Sequence, residues 1–290
     1  MAEIRTTSKL ISTPRQPARI YRLRVPRVNE KAVRSLAKQL GMLADGRSGA
    51  LRTDADKLTY SEGHLELTMY RASGGIRFID RAHWQADDGK SNLNIDDATA
   101  TRLAQNLVRK YKLAPSAETK VLKTARLRVG EATKDGREVS ERTIDVAVAL
   151  QRLVDKIPVD GPGGKVIVYL NHERQATGFE RIWRQIGAVH RRGQSYRTAE
   201  SALDDMRAHF REKEGVIEVE EMRFGYFEEG WRSKQQYLQP AYIIIGMLTS
   251  PDRGIRKRTI YVAPALSNPA GRITPLLQRK RPQRARSETR

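Results

Sequence analysis

Ile157-Pro158-Val159-Asp160-Gly161-Pro162-Gly163-Gly164-Lys165-Val166-Ile167-Val168-Tyr169-Leu170 decides how the centre of this chain is read. Two apolar runs flank a Gly-Pro-Gly-Gly quartet. That quartet is turn chemistry, because glycine supplies backbone angles closed to other residues and proline presets the corner. A phosphate-binding loop does not fit. Val166 stands where that motif needs a hydroxyl, and a Val/Ile strand follows where it needs a helix. Upstream, Ile144, Val146, Val148 and Leu150 alternate with Asp145 and Ala147 in a long strand. Downstream, Gln175–Trp183 reads as another strand, so the centre is an antiparallel meander.

The same order of signals extends in both directions. Before the meander, Asp96 caps a helix whose apolar stripe is Ala100, Leu103, Ala104, Leu107, Val108 and Tyr111, and Pro115 stops it. Nearer the N-terminus, Ile20, Leu23 and Val25 form a short strand ending at Pro26. Asn29 then caps a helix carrying Val33, Leu36, Ala37 and Leu40, with strands following at Leu58–Ser61, Leu65–Tyr70 and Ile76–Trp84. Towards the C-terminus, Thr198 caps a helix with Ala202, Leu203, Met206 and Phe210 on one face, before strands at Val216–Phe227, Tyr237–Leu248 and Arg256–Ala265. One amphipathic helix followed by several antiparallel strands, three times over, predicts an α+β fold of tandem modules over residues 19–95, 96–190 and 191–270, each helix covering one face of its own meander. Residues 1–18 and 271–290 are basic and poor in large apolar side chains, so they are expected to form disordered arms.

The central stretch, with Ile182-Trp183-Arg184-Gln185-Ile186, Phe224-Gly225-Tyr226-Phe227, Tyr237-Leu238-Gln239-Pro240-Ala241-Tyr242 and Ile260-Tyr261-Val262-Ala263-Pro264-Ala265, resembles bacterial cell-envelope proteins on the PepSY/cystatin-like plan. Regulators of the YycH/YycI type share that plan. The resemblance covers residues 19–266 and rests on strand-and-turn patterns. It implies a non-enzymatic binding or regulatory role, commonly outside the cytoplasmic membrane, and carries no functional residue across.

Charge narrows the partners. The 290 residues hold 54 Lys+Arg against 34 Asp+Glu, a net charge of +20. Residues 1–27 contribute a net +6 and residues 279–290 a net +5, so the ends are far more basic than the body. Such a chain attracts polyanions. No Cys is present, which excludes disulfides, thiolate metal centres and thiol nucleophiles. The five His (His64, His83, His172, His190, His209) lack metal-ligand spacing, so neither metal nor other cofactor is expected. Asp80 and His83 could pair as base and orienter, but no Ser stands in a nucleophile-elbow context. Glu218 and Glu220 share one strand face and read as solvated, and Glu228-Glu229 reads as a loop. No apolar run approaches the ~20 residues that span a bilayer, and no secretory leader is visible. The chain as given therefore reads as cytoplasmic, and an extracytoplasmic place would require a leader removed beforehand.

Basic clusters supply the remaining candidates. Arg181, Trp183, Arg184, His190, Arg191, Arg192, Tyr196 and Arg197 combine guanidinium and aromatic groups, which can grip phosphate and stack on bases, or else place Trp183 in a core and the arginines on a linker. Arg256, Lys257 and Arg258 form a second cluster at a hairpin. Arg279, Lys280, Arg281, Arg284 and Arg286 form a third in the tail. Two readings stay open. One is a non-enzymatic regulatory or scaffold protein contacting another macromolecule, a protein first of all; the other is a nucleic-acid-associated protein whose Arg-rich ends bind phosphate without reading sequence.

Overall fold

The computed structural model describes residues 3–6, 17–42, 49–84, 93–135, 138–212, 214–249, 254, 256–271 and 273. In chain order the elements are β1 (Glu3–Thr6), β2 (Ala18–Leu23), α1 (Glu30–Gln39), β3 (Ala50–Thr53), β4 (Lys57–Glu62), β5 (Leu65–Tyr70), β6 (Ile76–Asp80), α2 (Arg81–Trp84), α3 (Asp97–Lys110), β7 (Thr119–Ala132), β8 (Glu138–Val154), β9 (Ile157–Asp160), β10 (Lys165–Leu170), β11 (Ala176–Ile182), β12 (Ile186–Gln194), α4 (Ala199–Phe210), β13 (Val216–Phe227), β14 (Tyr237–Thr249) and β15 (Arg256–Pro264).

Cap chemistry starts the three long helices. The side chains of Asn29, Asp96 and Thr198, each in extended backbone, accept from the main-chain N–H of Ala32, Thr99 and Ser201. Each thereby satisfies one of the amide donors that a helix leaves open at its first turn.

Two units divide the chain: residues 18–193 with 225–240, and residues 1–17, 194–224 and 241–290. In the first, neighbouring strands run in the order β3-β4-β5-β6-β11-β10-β8, with β7 on the other side of β8. Val146, Val148 and Leu150 of β8 point to one face, where α1 (Val33, Ala37) and α3 (Ala100, Ala104, Val108) close over Tyr60, Leu67, Val168 and Phe179. Asp145 and Ala147 point to the opposite face, as a period of two requires. A smaller apolar cluster joins Tyr21, Leu23, Val154, Val159, Tyr226 and Leu238. Its strands pair across long sequence separations, with Leu238 antiparallel to Tyr21 and Tyr226 parallel to Val159.

In the second unit, β1 pairs parallel with β13, and β14 pairs antiparallel with β15. Ala202, Leu203, Met206 and Phe210 of α4 pack on Ile217, Val219, Tyr242 and Ile244.

The expected α+β series of tandem modules, each helix on its own meander, is overturned. Strand makes up 51% and helix 18%, in large mixed β-structure. Two findings explain the difference. The helices α1 and α3, expected in separate modules, share a single core. Strands β9 and β13, and β1 and β13, pair in parallel. Periodicity reports which face of an element is apolar, and it is silent about which partner covers that face. No helix among the described residues is long and apolar enough to cross a membrane.

Candidate functional site

The chain between β2 and α1 forms one wall of an open cleft of about 880 Å³. Strand β2 buries Ala18, Ile20, Tyr21 and Leu23 and exposes Arg19 and Arg22. Beyond it the backbone stays tethered, because the Leu23 N–H donates to the Gln236 carbonyl and the Arg24 N–H to the Gln185 carbonyl, each at 2.8 Å. Pro26 then packs under the turn at Gly74, where a Cβ would come within 3.1 Å of the proline ring. At Gly187, which faces β2, a Cβ would lie 3.2 Å from the Arg22 carbonyl and 3.3 Å from Cγ of Arg24, so glycine here lets the Arg24 stem pass.

Five arginines line the cleft: Arg22, Arg24 and Arg27 on this wall, Arg181 and Arg184 on the other. No carboxylate lines it among the described residues. Apolar side chains lie between them, notably Leu23, Val25, Met69 and Ile76.

The far wall is organised by a buried ionic cluster. Glu228 is wholly buried; its Oε1 accepts from the Arg184 main-chain N–H at 2.9 Å and from the Arg184 guanidinium at 3.3 Å. The same guanidinium donates to the carbonyls of Glu229, Gly230 and Ser233 at 2.6, 2.9 and 2.7 Å, fastening the loop after β13. Arg152 donates to the Arg184 carbonyl at 2.7 Å, pairs with Glu118 at 3.2 Å, and lies over the ring of Trp183 at 4.9 Å. Burial pushes the Glu228 carboxyl above the usual carboxylate range, opposed by Arg184 and Arg152; burial likewise holds Arg184 and Arg181 below the usual guanidinium range.

Partners in this cluster do not come out even. Arg184 pairs with Glu228, and Arg152 with Glu118 and, at 4.0 Å, with Glu228; among the described residues Arg181 makes no ion pair, feels Glu228 only through space, and has a buried Nε with no acceptor. A buried donor without a partner is costly. The cleft that Arg181 lines is where an anion would supply one, and guanidinium forks suit phosphate and carboxylate oxygens.

The residues singled out by sequence are scattered. Arg191 and Arg192 lie on β12, away from the cleft lining. Arg197 is held within its own unit by Asp205 at 2.6 and 2.8 Å and by Ser201, so its charge is matched locally. Arg256, Lys257 and Arg258 lie exposed on β15. Arg279, Lys280, Arg281, Arg284 and Arg286 lie outside the described residues, as does most of both expected arms. Of the basic-aromatic cluster, Trp183 is in the core and only Arg181 and Arg184 reach the cleft. Glu228 and Glu229, read as an open loop, are buried. The flanking Phe227 and Trp231 were the only local sign of that, since Arg184 and Arg152 stand far away in sequence.

Elsewhere, Oδ1 of Asp80 hydrogen-bonds Nδ1 of His64 at 2.7 Å and accepts from the His83 main-chain N–H at 3.3 Å, while the His83 ring stands 3.6 Å from Oδ2. Among the described residues no group of three or more His, Asp or Glu could hold a metal ion.

Neither a protein-family model nor a curated protein matches the chain. Among solved structures, the chain is similar in fold to an uncharacterized protein from Eubacterium rectale ATCC 33656, with a TM-score of 0.54 at 11% identity over 94% of this chain and 90% of that one.

Proposed function

We propose that this is a non-enzymatic binding protein whose partner is a nucleic acid held by its phosphates in the arginine-lined cleft. The observation that carries the reading is the unmatched Arg181, facing a cleft with Arg22, Arg24 and Arg27 and no lining carboxylate. Arginines without carboxylate partners are free to neutralise phosphate oxygens and release the counterions around them. The Arg-rich tail adds charge attraction that reads no base sequence.

A fluorescently labelled DNA duplex titrated at several salt concentrations tests this. If the four unmatched arginines each neutralise one phosphate, they contribute a slope of log K against log salt of about −4, from roughly −0.9 per contact. The double variant Arg24→Gln/Arg27→Gln should reduce the slope by about 2 and weaken binding without changing the melting temperature. Unchanged binding in that variant, together with loss on deleting residues 274–290, would move the site to the tail.

A second reading, an acidic protein segment in the same cleft, is favoured by Val25, which is 87% exposed beside Pro26 at the cleft wall. An apolar anchor of that kind gives affinity that salt affects weakly. A shallow salt slope with retained binding of an acidic peptide would favour it.

A further inference from the structure

On the sheet face opposite α1 and α3, strands β6, β7, β8, β10 and β11 line a separate open cavity of about 420 Å³. The strand registers show how it forms. Ala125, Ala147, Tyr169, Gly178 and Ile79 lie side by side across the five strands. Small side chains at three of these places leave a depression, with Tyr169 standing beside it. Gly178 cannot be enlarged, because a Cβ there would come within 2.4 Å of the Phe78 carbonyl. Leu127, paired with Asp145 across β7 and β8, adds an apolar wall.

Asp145 lines this cavity and is only 5% exposed; the main-chain N–H groups of Val146 and Leu170 act on its carboxylate, while its Oδ1 is buried with no hydrogen-bond partner. The charges around it are spoken for. Arg77 on β6 pairs with Glu180 on β11 at 3.3 Å, and Arg126 on β7 donates to Asp97 at 2.6 Å and to the Ile95 carbonyl at 3.1 Å. Tyr169 on β10 is the remaining titratable group, and burial pushes its hydroxyl up to about 12, so it stays protonated. One carboxylate therefore remains without a cation inside a mostly apolar depression. Such a group costs stability, and positions that keep one are characteristic of functional sites.

We propose that this cavity is a second binding site, which takes a small organic cation, an amine or amidine on a short apolar body, with Asp145 as its counter-ion. The volume lies within the range of small-molecule sites, roughly 300–1,000 Å³. The ligand's charged end would donate to Oδ1 of Asp145, and its body would lie on Ala125, Ala147 and Leu127. Tyr169 flanks the charged end, and its ring offers an aromatic face to a cation. This site is independent of the arginine cleft, whose chemistry is the reverse.

Benzamidinium and its neutral isostere benzamide test the idea by calorimetric titration of the full chain. At pH 8 benzamidinium should bind and benzamide should bind at least about tenfold more weakly, because a charge-assisted hydrogen bond is lost. Burial raises the Asp145 carboxyl to about 6. Protonation removes the counter-ion, so lowering the pH from 8 to 5 should weaken benzamidinium by about tenfold, the fraction ionised falling to roughly a tenth. Asp145→Asn should abolish the preference for the cation, and Arg24→Gln, in the other site, should leave it unchanged. Equal affinity for the two probes, or cation binding that survives Asp145→Asn in a folded protein, would overturn the proposal. The probe comparison and the pH series need no variant.

Discussion

Arg184 does more than one arginine usually does. It neutralises the buried Glu228 and donates to three carbonyls of the following loop. Replacing it by Met would leave a buried carboxylate with only Arg152 at 4.0 Å, and the three carbonyls would lose their donor. The expected loss is about 3–5 kcal/mol, the usual cost of breaking rather than replacing a buried pair. The double variant Arg184→Met/Glu228→Gln should recover part of it, since the orphaned charge is gone. Urea unfolding of the two variants measures this; a single variant within about 1 kcal/mol of the parent would mean that Glu228 is already solvated or protonated.

Elements show which part of a sequence speaks for itself. Asp96→Ala should cost α3 about 1 kcal/mol, read from the shift of the denaturation midpoint, because one amide of the first turn loses its acceptor. That cap was legible, as were Asn29 and Thr198, since the interaction spans three residues and needs nothing from the rest of the chain. The facing of β8 was legible for the same reason: alternation of Val146, Val148 and Leu150 is a local pattern. Pairing was not. Nothing near Tyr21 announces Leu238, and nothing near Val159 announces Tyr226, so three helices each followed by strands looked like three separate packages. The cleft suffered likewise. Arg22, Arg24 and Arg27 were counted as part of a basic end, and only the fold brings them opposite Arg181. The unpaired Asp145 was seen as a polar member of an alternation, which is right about its face and silent about its burial.

At the scale of the molecule, the two ends should behave differently. Deleting residues 274–290 removes positive charge and should leave the melting temperature within about 2 °C, because that stretch holds no large apolar run to bury. Deleting residues 1–17 removes β1, which pairs with Val216–Val219, and Ile4, which packs on the core beneath α4. That loss should be about 1–2 kcal/mol, or about 2–8 °C in a thermal melt. Equal melting of both shortened chains would show that β1 contributes nothing. The pairing of Tyr21 with Leu238 also carries a consequence for the chain as it is being made. The first of these strands leaves the ribosome some 200 residues before its neighbour exists, an interval of about 10–40 s at ordinary rates of synthesis. Throughout that interval Ile20, Tyr21 and Leu23 have no strand from β14 to lie against. A nascent chain stalled before residue 237 should therefore be a better client for a chaperone than one released a few residues later.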